Sequence, residues 1–276
     1  PPYSLPFAEY YNTISSRSLE AESIYYGLSF GGAYEVNDLV SVALGMRFVK
    51  AYKESQASIT IGPSALGALY GMPSQTFNID YKETADGLGG FLGVNITPND
   101  MFNIGLRYET STNLDFKTSV KRDDTGMLTD GAKEREDLPG LLGIGAGYNI
   151  SPDLRLDASV TYYFEKEATR EDARFDDVNN GYDLAVAVEY AFNEKLKGSA
   201  GYMRTIVDIS PDDMLSEAAE LDAHTVCAGL AYSIMPDLDL NFALMKNIYA
   251  SEARSDGIEL NKKLFCMGFG VQYKFK

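Results

Sequence analysis

The stretch Tyr182-Asp183-Leu184-Ala185-Val186-Ala187-Val188-Glu189-Tyr190-Ala191-Phe192 alternates without a break. Its even positions are large and apolar, and its odd positions are small or acidic. Only a pleated strand, whose successive side chains point to opposite faces, sorts such a sequence into two surfaces. Residues 154–165 repeat the pattern. Leu154, Leu156, Ala158, Val160, Tyr162 and Phe164 fall on one face, with Arg155, Asp157, Ser159, Thr161 and Glu165 on the other. The same period of two runs through Val40 to Phe48, Phe102 to Tyr108, Leu238 to Leu244 and Phe265 to Phe275, and no segment of helical period competes.

About eleven strands follow from this reading: 22–36, 39–57, 75–97, 101–120, 138–151, 153–168, 182–193, 195–208, 223–235, 237–251 and 262–276. Their connections alternate in length. Val36-Asn37-Asp38, Thr97-Pro98-Asn99-Asp100, Ser151-Pro152-Asp153, Phe192-Asn193-Glu194 and Met235-Pro236-Asp237 are tight turns, built from residues that fix or tolerate turn dihedrals. Between them lie long connections at 58–74, 121–137, 169–181, 209–222 and 252–261. Short turns at one rim and long loops at the other are the layout of an outer-membrane barrel, with the long loops extracellular. Of 19 Tyr and 14 Phe, many sit near strand ends on the apolar face, where interfacial girdles form. A soluble β-sandwich would also alternate, but its two apolar faces must cover each other. Here the second face is polar or small, so a dry core has nowhere to form. The fold expected is an all-β transmembrane antiparallel β-barrel, a single domain over 1–276.

The chain has 276 residues, with 24 Lys+Arg against 40 Asp+Glu, a net charge of −16. Nucleic acid is excluded as a partner, because phosphate binding needs a basic surface. Two cysteines, one histidine and no CxxC spacing give no zinc or iron–sulfur site, and no metal or cofactor is expected. Cys227 and Cys266 fall on strands separated by one other. Two strand spacings total roughly 9.5 Å, beyond the reach of a disulfide. No apolar run is long enough for a transmembrane helix, which leaves a barrel untouched. The sequence opens on Pro1 without a leader, and the strand count is odd where bacterial barrels are even. An N-terminal segment is therefore expected ahead of Pro1, with Phe7 to Tyr11 the one weak strand candidate inside 1–20.

The inward face carries charges of both signs: Arg47, Arg107, Glu109, Asp115, Arg155, Asp157, Asp183, Glu189, Lys197 and Asp239. Pairing across neighbouring strands explains them better than catalysis, since no Ser/His/Asp order is present. The remaining inward residues are small, as at Gly31, Ala43, Gly45, Gly143, Gly145, Gly147, Ala185, Ala187, Gly229, Gly268 and Gly270. They leave an open lumen for water, a ligand or a plug. The alternating glycines are no dinucleotide fingerprint, because no helix follows them.

Two ordered sets of motifs carry a resemblance. The first is Gly201-Tyr202-Met203-Arg204, then Ile209-Ser210-Pro211-Asp212-Asp213, then Leu221-Asp222-Ala223-His224-Thr225 leading into Ala228-Gly229-Leu230-Ala231-Tyr232. The second is Phe102-Asn103-Ile104-Gly105-Leu106-Arg107-Tyr108, with Leu114-Asp115-Phe116, Leu138-Pro139 and Leu142-Gly143-Ile144-Gly145. Over residues 85–276 the chain resembles the FadL/TodX family of outer-membrane channels for long-chain fatty acids and other hydrophobic molecules. The resemblance implies the C-terminal part of a 14-stranded barrel in the outer membrane of a Gram-negative-type bacterium. The family's N-terminal hatch is missing from this sequence, and the aromatic expected at the C-terminus is Phe275, followed by Lys276. If three strands precede this sequence, 58–74 becomes the third extracellular loop, which in the family helps form the groove where ligands enter.

That connection holds Ile59, Ile61, Leu66, Leu69, Tyr70 and Met72, whereas 121–137 and 169–181 are dense in charge. Exposed apolar clusters need a reason. Leu66, Leu69, Tyr70 and Met72 are the candidate ligand-contact residues, and a lid folded over the lumen is the structural alternative. The expected function is passive uptake of hydrophobic small molecules such as fatty acids or aromatic hydrocarbons, with outer-membrane lipid as surroundings and a monomer favoured. A general porin for polar solutes and a structural or adhesive barrel are the alternatives. An enzyme is not expected, because one histidine, His224, gives no nucleophile–base pair.

Overall fold

The computed structural model describes residues 11–171, 178–214 and 219–274. Its strands are β1 (Tyr11–Asn37), β2 (Val40–Pro63), β3 (Gln75–Asn99), β4 (Phe102–Glu109), β5 (Asp115–Asp123), β6 (Lys133–Arg135), β7 (Gly140–Ser151), β8 (Leu154–Phe164), β9 (Tyr182–Ala191), β10 (Leu196–Ile206), β11 (Ala223–Met235), β12 (Leu238–Tyr249), β13 (Glu252–Ala253), β14 (Glu259–Leu260) and β15 (Lys263–Tyr273). One short helix, α1 (Ala65–Leu69), follows β2. The main sheet runs β1-β2-β3-β4-β7-β8-β9-β10-β11-β12-β15, so strands adjacent in the expected series are neighbours in space. The pairings resolved residue by residue along this path are antiparallel.

Asparagine makes several of the short turns. The Asn37 side-chain oxygen accepts from the backbone N–H groups of Leu39 and Val40, and Asn193 does the same for Lys195 and Leu196. Asn99 accepts from Met101. Each clasp replaces a ladder partner that the reversing backbone loses.

Four boundaries differ from the sequence reading. β1 starts at Tyr11 rather than 22, and β2 runs to Pro63, so Ile59 and Ile61 belong to a strand and not to a loop. The expected strand 101–120 breaks at 110–114: β4 pairs with Phe91–Asn99 of β3, whereas β5 pairs with Ile79–Thr84 of the same strand. The connection 121–137 is partly ordered as the β5–β6 hairpin. The break also changes parity. On β5 the buried side chains are Phe116 and Thr118, so Asp115 lies on the opposite, exposed face and is not an inner-wall charge. The remainder of the weak candidate Phe7 to Tyr11, and the Phe275-Lys276 end, lie outside the described residues.

The chain forms two compact units. The first comprises the chain to Leu28, Phe48–Leu88 and Asn113–Glu136; the second comprises Ser29–Arg47, Gly89–Thr112 and Asp137–Lys276. The first unit has a small core of Val49, Ala51, Ala85, Leu114 and Phe116, each at most 5% exposed. Lys53 lies over the Phe116 ring at 4.4 Å and bonds Glu136 at 2.5 Å. On the other face of β2, Glu54 binds Lys82 at 2.8 Å and Lys121 at 2.7 Å. Along β2 the alternation of Val40, Val42, Leu44, Met46 and Phe48 gives way to Lys50, Tyr52 and Glu54, which marks where a lipid-facing strand becomes an aqueous one.

The second unit is a wall with one apolar and one polar face. Leu156, Val160, Leu184, Val186, Leu230, Phe242, Met267 and Phe269 are exposed on the same side, with Met267 and Phe269 at 70% and 72%. So much exposed apolar surface is stable only against lipid. Aromatic rows bound it. Tyr108 faces Leu142, which faces Tyr162, which faces Tyr182; at the other margin Phe102 faces Tyr148, and Tyr190 lies opposite Leu154. Edge-on contacts lock the rings at 6.4 Å for Phe102–Tyr148, 5.3 Å for Tyr162–Phe164 and 5.2 Å for Tyr190–Phe192. From Tyr182 to Tyr190 the strand rises roughly 26 Å, or about 20 Å along the membrane normal at the usual tilt, matching a barrel's apolar band.

Candidate functional site

The polar face of the second unit is built from the odd positions of β4 and β7–β12. Its charges pair across and along strands. Glu109, 6% exposed, accepts from Arg47 at 2.8 Å and Arg107 at 2.7 Å. Arg155 binds Asp157 at 2.7 Å and also reaches Asn103 at 3.1 Å. Lys197 meets Glu189 at 3.1 Å, and Asp183 accepts from Tyr163 at 2.9 Å and Thr205 at 2.6 Å. Asp239 accepts from Ser233. Acids paired in this way brace the strands against one another.

Between the charged rows the small residues leave space. Gly143, Gly145, Ala185 and Ala187 floor a hollow of about 410 Å³, with Arg107 at one margin and Asp157 at another. One aromatic side chain fills the wall elsewhere. The Phe91 ring lies on Gly31 and Gly45, so closely that a Cβ at Gly45 would stand 2.1 Å from its Cζ. Arg107 covers Phe91 at 5.5 Å from the ring centroid, joining the aromatic to the Glu109 cluster.

The candidate contact residues sit in the first unit. Ser64 caps α1, its Oγ accepting from the Gly67 N–H at 3.1 Å, and Gly71 closes the turn at φ 66°. No helix was expected here from the sequence. A five-residue helix with an N-cap serine and a following left-handed glycine is too short to leave a 3.6-residue pattern. Leu69 and Tyr70 are 80% and 69% exposed. Leu66 and Met72 are half-buried. The structure thus brings all four into one compact turn but presents two of them outward.

The motif residues form a lock at the rim. Arg204 bonds Asp222 at 2.5 Å, and Asp222 also accepts the Val207 N–H at 3.0 Å. Tyr202 Oη and His224 Nδ1 are 2.6 Å apart. Asp212 accepts the Ser255 N–H at 2.7 Å, which holds its carboxyl below the ordinary range, and Arg254 donates to the Met214 carbonyl at 3.1 Å. These bonds close the two loops over a small core of Met214, Ala219, Leu221 and Leu260. The sequence reading did not find this core, whose residues are scattered through connections with no periodicity.

A family model described as Gram-negative porin matches residues 12–168. No curated protein matches the chain significantly in sequence. Among solved structures, a FadL homologue of Pseudomonas aeruginosa aligns with a TM-score of 0.63 at 16% identity, covering 92% of this chain and 66% of that one. The toluene transporter TbuX of Ralstonia pickettii aligns at 0.62 and 15%, covering 93% and 69%. A deltaS2 mutant of the TodX monoaromatic hydrocarbon channel aligns at 0.69 and 14%, covering 93% and 71%. The chain spans about two thirds of the length of these proteins, and at such identities the likeness is one of fold. With more than half of its length matched by the family model, the chain belongs to the Gram-negative porin family, and it is a β-barrel protein of the outer membrane.

Proposed function

We propose that this protein is a passive channel for hydrophobic small molecules, not an enzyme, and that Leu66, Leu69, Tyr70 and Met72 capture them. One observation carries the reading: Leu69 and Tyr70 stand 80% and 69% exposed beside a long connection of a chain whose net charge is −16. Exposed apolar side chains cost nothing once a hydrophobic ligand covers them. The architecture shared with proteins named as toluene and monoaromatic hydrocarbon channels supports the ligand class.

Burying one large apolar side chain against a ligand is worth roughly 1.5–3 kcal/mol, so Leu66→Ser with Leu69→Ser weakens capture at least about tenfold. Uptake of a labelled long-chain fatty acid and of toluene is measured in cells carrying the double variant. Heat-modifiability on a gel is the control for folding. Unchanged uptake by a folded variant would leave the segment as a lid and remove the capture assignment.

A further inference from the structure

The lipid-facing side of the second unit is uniform in one respect. Along β4, β7, β8 and β9 its even positions carry no charge. On β10, β11, β12 and β15 the same face carries Arg204, which Asp222 neutralises at 2.5 Å, then His224 and the exposed lysines Lys246 and Lys263.

Register places the four together. Arg204 is opposite His224, His224 opposite Ile248, and Ile248 opposite Lys263. In the next row Tyr202, Val226, Lys246 and Phe265 are opposite one another in turn. The patch therefore spans three strand spacings, roughly 14 Å. It lies at the end of the strands that bears the loops 207–222 and 250–262, the extracellular margin of the apolar band. Lys246 and Lys263 are exposed and have no carboxylate partner among the described residues. Lys262, by contrast, lies over the Tyr249 ring at 5.2 Å.

At the margin of the apolar band an exposed lysine costs little by itself, and it gains where an anionic group meets it. The geometry points to a phosphate-bearing glycolipid of the outer leaflet, lipopolysaccharide, docked with its phosphates on Lys246 and Lys263, since Arg204 is held by Asp222 and His224 by Tyr202. Below the cationic rows the wall is shaped for the rest of the molecule. Gly198, Ala200, Ala228, Leu230, Phe242 and Leu244 line an apolar groove of about 390 Å³, beginning one row from Lys246. Its floor is of small residues and its sides are of large ones, which suits an acyl chain lying along the strands.

The full chain, extracted in mild detergent, is titrated with lipopolysaccharide and with the same lipid after enzymatic removal of its phosphates, and bound lipid is counted by native mass spectrometry. The wild type is expected to hold the phosphorylated form at least about tenfold more tightly than the other. Lys246→Gln with Lys263→Gln removes that preference, Lys246→Arg with Lys263→Arg keeps it, and Lys197→Gln on the opposite face leaves it unchanged. Equal binding of the two lipids by the wild type overturns the inference, as does undiminished preference in the Gln pair. If the Gln pair does not give the gel shift of a folded barrel, the wild-type comparison decides alone.

Discussion

The contact between Phe91, Gly31 and Gly45 gives the most direct test of how the wall is held together. A methyl group at Gly45 would stand 2.1 Å from Phe91 Cζ, 2.7 Å from its Cε1 and 2.5 Å from the Phe30 carbonyl oxygen. Ordinary carbon contacts need about 3.5 Å, so the ring must move by well over an ångström, while the Phe30 oxygen is fixed in the sheet. Overpacking of this kind costs about 1–3 kcal/mol, and Gly45→Ala belongs at the upper end because one obstacle is backbone. A buried Phe→Ala change costs about 3–5 kcal/mol, and the half-buried Phe91 ring brings this to about 2 kcal/mol. In the double variant the ring no longer opposes the methyl, whereas the Phe30 oxygen still does. The combined loss should fall short of the sum by about 1–2 kcal/mol.

The chain has no Trp, so unfolding in lipid vesicles is followed by circular dichroism and by the gel shift across a urea series. Gly31→Ala is the graded control, since its Cβ would meet the same Cζ at 2.9 Å and the Leu44 oxygen at 3.0 Å, and it should cost less than Gly45→Ala. If the Gly45 and Phe91 effects add to within about 0.5 kcal/mol, the ring does not rest on the glycine, and the packing argument fails.

The register of the wall predicts that a spin label at Val186 is reached by an apolar quencher and one at Ala187 by a water-soluble one; a reversed pattern would place every strand of the second unit inside out. Cys227 and Cys266 are both free, and Met245 stands between them in register, so non-reducing mass mapping should show no intramolecular link. Asp124 accepts from Arg122 and from both nitrogens of Asn78, which holds its carboxyl at about 2, below its ordinary 3.8. The depressed value means that this clasp stabilises the β5 turn above pH 4 and is lost as pH falls from about 4 to about 2, so protease cleavage within 121–131 should rise over that window and not between pH 5 and 8. Glu109→Gln leaves Arg47 and Arg107 facing each other without their shared acid; the pair is partly solvated, so a loss of about 1–2 kcal/mol in the same urea assay is expected, not the larger cost of a fully buried ion pair.

How much of this was legible depends on which signal each feature leaves. Period-two alternation over 182–192 and 154–164 is the direct imprint of a wall with lipid on one side and water on the other. It yielded the face of Val186 and the neighbour order of the main strands; the expected pairing of inward charges across neighbouring strands is met at Lys197 and Glu189, whereas Arg155 pairs with Asp157 along its own strand. Asn37, Asn99 and Asn193 announced the short turns because the same side-chain clasp forms at each. Features that depend on long-range pairing left no such trace. β3 is shared end to end by β4 and β5, and nothing in 101–120 says that its two halves pair with different stretches of that strand. Residues 110–114 join the halves with a change of parity, which turned Asp115 outward while leaving its local alternation intact.

The candidate contact residues show the same division. Their apolar character was plain, but α1 was not, because a single turn needs only Ser64 and Gly71 as punctuation. That punctuation matters to the proposed role. The Ser64 cap and the backbone bonds from Tyr70, Gly71 and Met72 to the carbonyls of Leu66, Gly67 and Ala68 fix the turn through its own main chain. Leu69 is then held outward without needing apolar partners of its own. A flexible loop with the same composition would collapse its apolar side chains onto one another and have to reopen for each ligand, losing affinity to that reorganisation. Replacing Ser64 with Ala should therefore weaken uptake while leaving all four contact side chains in place. The expected loss is several-fold, from about 1 kcal/mol of cap energy, and unchanged uptake in a folded Ser64→Ala variant would mean that the turn needs no preorganisation to do its work.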